Sequence, residues 1–178
     1  MAEVLLTSEN FIKSISSISD NTSGKYILPS LREAQEISLK GIIGVPLLGK
    51  LKELVENRQI DNSANVLYKE IVEKCQYYLA YTTIVEVMYK VSYKVGNAGV
   101  VKASDEKMQV ADHGEIVSQR EYYQSKADFY CIELQDFLLN NRSEIAELDE
   151  AQTGRIRSNL YSAASCGIFL GGARGKRR

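Results

Sequence analysis

The sequence has few of the residues on which enzymatic and metal chemistry most often depends. Only one of its 178 residues is histidine, His113, and the three cysteines, Cys75, Cys131 and Cys166, are far apart along the chain. Paired metal-ligand spacing is therefore missing, and a zinc site would have to gather these four side chains from distant positions. Separated, unpaired cysteines are typical of reduced thiols buried as small apolar side chains. We expect no metal site, no cofactor and no catalysis by His113.

Long apolar runs and a secretion signal are also missing. No stretch of about eighteen apolar residues occurs, as a membrane-spanning helix would require. The N-terminal MAEVLLTSENF carries an acidic residue where a signal peptide would be basic. The sequence thus predicts a protein that neither spans a membrane nor is exported. With 44% hydrophobic and 25% charged residues, it is typical of one compact globular domain.

One short motif, GVPLLGKL, resembles a phosphate-binding loop. Gly44, Gly49 and Lys50 fill the first three fixed positions of that loop, but Leu51 stands where a hydroxyl must bind magnesium. The preceding SLREAQEISLKGII has helical spacing, whereas the loop requires a strand there. We therefore interpret the octet as a tight corner between two helices. A glycine at positive φ would end the first helix, and Pro46 would lie in the first turn of the next.

The spacing of apolar residues in the first third of the chain predicts three helices. A short helix should begin at Thr7 or Ser8, where a hydroxyl can cap it. A second should extend from near Pro29 to near Lys40, and a third from Pro46 to Asn57. The segment SSISDNTSG between the first two is predicted to be a loop.

The strongest periodic patterns lie in the middle of the chain. They predict two long helices, one from Ser63 to about Tyr93 and one from Glu115 to Asn140, which should pack antiparallel. Between them lie β-branched patches separated by glycine and asparagine, which favour a short β-hairpin or an extended arm at about residues 94–114. The sequence thus predicts a mainly α-helical bundle with a protruding arm.

The last residues, CGIFLGGARGKRR, differ in composition from the rest. Four of the last five residues are basic, whereas residues 1–173 carry 18 basic and 23 acidic side chains. A basic, glycine-rich terminus of this kind is ordered only if something holds it. We therefore divide the chain into a helical domain at residues 1–165 and an extended basic docking tail at residues 166–178.

Tyrosine is abundant, whereas tryptophan is missing. The chain has 11 tyrosines, and those on the first long helix cannot all face one core stripe. Exposed tyrosines are favoured in protein interfaces, although ordinary half-buried packing would explain about half of them as well. We predict a subunit interface that includes three of these tyrosines and the β-branched tip of the arm: Tyr77, Tyr81, Tyr89, Val100 and Val101.

Several stretches together resemble a known family. They are the helix LREAQEISLKGIIG, the corner GVPLLGKL, the segment VGNAGVV, the helix YYQSKADFYCIELQDFLLNN and the ending GIFLGGARGKRR. In this order they resemble the head-to-tail adaptor proteins of tailed bacteriophages, of the type found in crAss-like and other Bacteroidales phages. The resemblance covers nearly the whole chain. It implies a structural virion protein and not an enzyme: a helical bundle that forms a ring, twelvefold in the relatives, beneath the portal at the capsid vertex.

The resemblance also implies partners. The ring would join the capsid to the tail, contact the portal protein and the next tail or connector ring protein, and let DNA pass through its lumen without sequence-specific binding. It would be made in the host cytoplasm and found at the head-tail interface of the virion, with no membrane partner. The C-terminal tail would dock on the portal through an apolar anchor and a charged end: Ile168, Phe169, Leu170, Arg174, Lys176, Arg177 and Arg178.

The main alternative is a helical nucleic-acid-binding protein, such as a small packaging or regulatory subunit, with GGARGKRR as a phosphate-binding arm. No other cluster of lysine or arginine marks a recognition helix, however, and a dedicated binder usually has a basic face. An enzyme is the third hypothesis, and the single histidine and the broken phosphate motif count against it.

Overall fold

The computed structural model describes residues 3–16, 24–96, 99–102 and 113–150, and within these ranges the chain is mainly α-helical, as predicted. None of the described helices has the length and apolarity needed to cross a bilayer. Two short strands, Tyr93–Gly96 and Gly99–Lys102, form an antiparallel pair and lie between the two longest helices along the chain. The elements are α1 (Glu9–Ile15), α2 (Gly24–Glu33), a π-helical segment (Ala34–Leu39), α3 (Lys40–Ile43), α4 (Val45–Glu56), α5 (Val66–Ser92), β1 (Tyr93–Gly96), β2 (Gly99–Lys102), α6 (His113–Asn140) and α7 (Ala146–Glu150).

Helix α5 lies at the centre of the bundle. It packs against α6, α2, the π-helical segment and α1. Seven of the eight residues from Tyr78 to Val85 are therefore buried, so this stretch has no solvent-facing side. Helix α6 is antiparallel to α5, because Phe137 near its end lies beside Lys74 while Arg120 near its start lies beside Tyr89. Both long helices and their antiparallel packing were predicted correctly.

The N-terminal helices depart from the prediction in one respect. Ser8 caps α1 as expected, since its hydroxyl accepts a hydrogen bond from the backbone N–H of Phe11 at 3.2 Å. The second helix, however, was predicted to begin near Pro29, and the structure has Pro29 inside α2, which is already helical at Gly24. A proline there removes a helical hydrogen bond. Fully buried Ile27 and Leu31 flank it, so packing against the core outweighs the local preference for a helix start.

The π-helical segment after α2 was not predicted, because the sequence indicated one regular helix to Lys40. Its wider turn places Gln35 in the interior, with no exposed surface, and turns Ile37 outward. The side-chain amide of Gln35 holds the N-terminal segment in place through two hydrogen bonds to its backbone. Its Oε1 accepts from the backbone N–H of Leu6 at 2.9 Å, and its Nε2 donates to the carbonyl of Val4 at 3.0 Å.

The octet GVPLLGKL forms the predicted corner. Gly44 has φ 81° and ψ 166°, and it separates the end of α3 from the start of α4, with Pro46 in the first turn of α4. The element before it is a helix and not the strand that a phosphate-binding loop requires. Lys50 lies on the surface, with its Nζ 3.6 Å from a carboxylate oxygen of Glu53. Four leucines of α4 are buried in the core: Leu47, Leu48, Leu51 and Leu54.

Candidate interaction surfaces

Helices α5 and α6 meet through a cluster of tyrosines. The rings of Tyr77 and Tyr130 are stacked with their centres 5.2 Å apart. Tyr81 stacks on Tyr130 at 5.3 Å and on Tyr123 at 6.4 Å, and Phe11 of α1 meets Tyr77 edge-on at 5.4 Å. Stacked and edge-to-face pairs of this kind stabilise an interface beyond the burial of their area. Much of the tyrosine content of the chain is therefore used inside the bundle.

The three tyrosines predicted to contact a neighbouring subunit differ in exposure. Tyr77 is 39% exposed and Tyr89 is 44% exposed, with the guanidinium of Arg120 4.6 Å from the centre of the Tyr89 ring. Tyr81 is only 9% exposed, because α6 covers it, so it offers little surface to a neighbouring subunit. The same burial raises the pKa of the Tyr81 hydroxyl, although nearby Lys126 acts in the opposite direction.

The other predicted interface residues lie in the strand pair and in the tail. Val100 and Val101 belong to β2, where Val100 is paired with Val95 and Val101 with Lys94. The portal-docking residues of the tail lie outside the described residues, as does Cys166: Ile168, Phe169, Leu170, Arg174, Lys176, Arg177 and Arg178.

Helix α6 has a second apolar face that was not predicted. Its inner face carries the buried side chains Tyr123, Ala127, Cys131, Leu134 and Leu138. About half a turn away, four large apolar side chains recur at spacings of seven and three residues, and each is 48% to 57% exposed. We call them the outer stripe: Tyr122, Phe129, Ile132 and Leu139. The sequence contains this second set of apolar residues at seven-residue steps. The apolar residues of the inner face were sufficient to predict the helix, so the second set was not interpreted.

Acidic groups surround the outer stripe. Asp136 lies within the arc of the helix that the stripe occupies, and Glu121, Asp128 and Glu133 lie beside it. The basic group nearest to the stripe is Lys126, whose Nζ lies 4.9 Å from the centre of the Tyr122 ring. A partner that covers the outer stripe must therefore match an apolar centre with a mostly acidic border.

A groove with an aromatic floor runs between α5 and α6 beside the outer stripe. Its volume is about 580 Å³. Tyr77, Tyr130 and Phe137 form the floor, and the Nζ of Lys74 lies 5.2 Å from the centre of the Phe137 ring. Three carboxylates and the Lys74 ammonium form the walls, with a net charge of −2. We call this the aromatic groove; its lining residues are Glu70, Glu73, Lys74, Tyr77, Tyr130, Glu133 and Phe137.

The described part of the chain shows no group of three or more histidine, cysteine, aspartate or glutamate side chains placed to hold a metal ion. The two cysteines in it, Cys75 and Cys131, are both buried, as predicted. Complete burial raises the pKa of the Cys75 thiol, so this side chain is a structural and unreactive group.

Comparison with known proteins gives one match. No curated protein and no solved structure matches the chain. Residues 39–158 match DUF6712, a family of unknown function. This range includes α4, α5 and α6, and hence both surfaces described above. Because the match covers more than half of its residues, the chain belongs to the DUF6712 family.

Proposed function

We propose that this protein is a structural virion component, a subunit of the ring that lies under the portal and joins a phage capsid to its tail. The observation that carries this proposal is the outer stripe of α6. It is an apolar face about half exposed, on the side of the helix away from the core, and such faces mark protein contacts in otherwise ordinary globular domains. The resemblance of the sequence to head-to-tail adaptors supplies the kind of assembly.

A closed ring needs two different contact faces on each subunit. The second candidate face is the one that carries Ile37, which at 73% is the most exposed large apolar side chain among the described residues. Ile37 and Glu86 of α5 line one small cavity, whereas Tyr77 of α5 faces α6. Glu86 and Tyr77 are nine residues apart and so point to opposite sides of α5. The outer stripe of one subunit can therefore meet the Ile37 face of the next.

The remaining contacts of the proposed ring follow from the resemblance. The tail at residues 166–178 docks on the portal, and the arm at about residues 94–114 contacts a neighbouring subunit through Val100 and Val101. The body of the chain is mildly acidic, which suits a lumen through which DNA slides, since a strongly basic lining would hold the phosphates.

The ring contact is tested by replacing Phe129 and Ile132 together with serine. We expect the double variant to remain helical but to lose assembly, measured by mass photometry and by negative-stain electron microscopy of portal-bearing particles. The matched control replaces Val66 and Val91, which are 55% and 42% exposed on α5, with serine, and should assemble normally. Normal assembly of the stripe variant would show that the outer stripe is not a ring contact.

Portal docking is tested separately by deleting residues 167–178. The described core lies N-terminal to this deletion, so the truncated protein should keep its helical circular dichroism spectrum. It should no longer bind portal particles. Normal docking of the truncated protein would refute the assignment of the tail.

The basic ending also supports the alternative function, nucleic-acid binding through GGARGKRR. That function predicts DNA affinity that falls steeply with salt and disappears when residues 171–178 are deleted. An absence of DNA binding at low salt would eliminate it.

A further inference from the structure

The aromatic groove has the chemistry of a binding site for a basic, partly apolar peptide. Its floor of Tyr77, Tyr130 and Phe137 offers apolar surface on which apolar side chains can pack. The faces of these rings are used within the chain, since Tyr130 stacks on Tyr77 and Lys74 lies over Phe137, so the basic groups of a ligand would be bound by the carboxylates of the walls. Among the described residues, none of the three wall carboxylates, Glu70, Glu73 and Glu133, forms a salt bridge within the chain. They remain able to receive charge-assisted hydrogen bonds from a ligand.

The chain itself carries a segment of matching composition. Ile168, Phe169 and Leu170 supply apolar side chains for the floor. The four basic residues that follow, between positions 174 and 178, carry a charge of +4 against the −2 of the groove. An apolar part followed by arginine and lysine matches an aromatic floor bordered by carboxylates, both in polarity and in sign of charge.

The end of α7 places this segment within reach. Tyr68, near the start of α5, donates a hydrogen bond to Glu147 of α7 at 2.8 Å, so α7 lies at the end of α5 where Glu70 and Glu73 also lie. Seventeen residues separate Glu150 from Ile168. They can span on the order of 60 Å when extended. The path from α7 to the groove leads around α5, and a helix with its side chains is only about 10–12 Å across.

Because the tail belongs to the same chain as the groove, a low affinity is enough for the tail to occupy the groove. A segment joined to its site by a short stretch of the same chain has an effective concentration on the order of millimolar. A contact with a dissociation constant in that range, as expected for a shallow groove, is therefore occupied for a large part of the time. A separate partner would need a far higher affinity to occupy the groove at ordinary protein concentrations.

We propose that the segment Ile168–Arg178 binds in the aromatic groove of its own chain when no partner holds it. The free subunit then covers both the apolar anchor and the basic end of its tail, and a partner that takes the tail must displace it from the groove. This inference concerns the free subunit and does not depend on the identity of that partner. It would hold equally for a tail that docks on a portal or one that binds nucleic acid.

The test uses the full chain and limited trypsin digestion followed by mass spectrometry. The variant replaces Glu73 and Glu133 with glutamine, and the control replaces two exposed carboxylates of α4 that do not line the groove, Glu53 and Glu56, with glutamine. If the tail is bound, cleavage after Arg174 should be at least about threefold faster in the groove variant than in the wild type and the control. Equal rates in all three proteins would overturn the proposal.

A cross-linking experiment tests where the tail binds, because the glutamine substitutions could change the cleavage rate through the net charge of the protein alone. The photoreactive residue p-benzoylphenylalanine is placed at Glu70, and in a second protein at Glu53 as the control. On irradiation, the first should form an intrachain cross-link to a peptide within residues 168–178, and the second should not. Cross-links from Glu70 only to other regions would overturn the proposal. Cross-links between two chains that increase with protein concentration would also overturn it, because the occupant would then be a second copy.

Discussion

Three glycines near the α3–α4 corner provide the sharpest test of the fold, because the same substitution should have opposite effects at different positions. Gly44 is buried and has φ 81° and ψ 166°, a region that is accessible essentially only to glycine. A Cβ on Gly41 or Gly49 would meet no heavy atom within 4 Å beyond the neighbouring backbone of its own helix, and both residues lie in helices at negative φ. We therefore predict that alanine destabilises the protein at Gly44 and stabilises it at Gly49.

The magnitudes follow from the backbone. Gly44→Ala forces a side chain into a disfavoured conformation, which costs on the order of 1–3 kcal/mol. Gly49→Ala replaces an exposed glycine in a helix, which should add about 0.4–1 kcal/mol by reducing the freedom of the unfolded chain. The two variants should therefore differ in free energy of unfolding by roughly 1.5–4 kcal/mol. Gly41→Ala should behave like Gly49→Ala, although its effect should be smaller because it lies near the end of α3.

The assay is urea denaturation followed by far-UV circular dichroism. For a slope of about 2 kcal/mol per molar urea, the midpoints of Gly44→Ala and Gly49→Ala should be separated by roughly 0.7–2 M, with wild type between them. A Gly44→Ala midpoint equal to or above that of the wild type would refute the corner geometry. Nucleotide should shift none of these midpoints, since the octet is a helix corner and not a phosphate-binding loop.

Three further predictions concern the interior and the surface of the bundle. Gln35→Leu should lower the free energy of unfolding by about 1–3 kcal/mol, since a buried backbone N–H and a partly buried carbonyl lose their partner, and thermal unfolding would measure the loss. Cys75 and Cys131 should react with a thiol reagent only when the protein unfolds, and rapid reaction in the native state would contradict their burial. The hydrogen bond from Lys52 lowers the pKa of Glu36 below its ordinary value of 4.5. Its contribution to stability is therefore present above pH 4.5 and is lost as the pH falls through the lowered pKa, so Lys52→Gln should flatten this part of the stability profile.

The long helices were predictable because their local signals are strong and consistent. Neither α5 nor α6 contains a proline, and no glycine interrupts α5 or the body of α6. The apolar residues of each also recur at three- and four-residue steps over about seven turns. The corner at Gly44 was predictable for a different reason, since glycine followed by valine and proline ends one helix and starts another.

The misplaced start of α2 and the missed π-helical segment have a common cause. Pro29 indicates a helix start by local preference, yet buried Ile27 and Leu31 on either side of it extend the helix toward Gly24. Gln35 lies in a charged stretch of sequence, which indicates a surface position, yet the wide turn of the π-helical segment places it in the core. In both places contacts with distant residues outweigh a local preference of a few kcal/mol or less.

The sequence by itself determined the number of long helices and the corner at Gly44, because both depend on interactions between residues close together in the chain. It also determined the antiparallel pairing, because two consecutive long helices joined by a loop pack antiparallel. Only the tertiary structure decided which apolar face of α6 meets the core, that Tyr81 is covered while Tyr77 remains partly exposed, and that the groove between α5 and α6 combines aromatic rings with carboxylates. The physical reason is that periodicity shows which residues share a face of a helix. It does not show which face another helix will cover, and on α6 both faces are apolar.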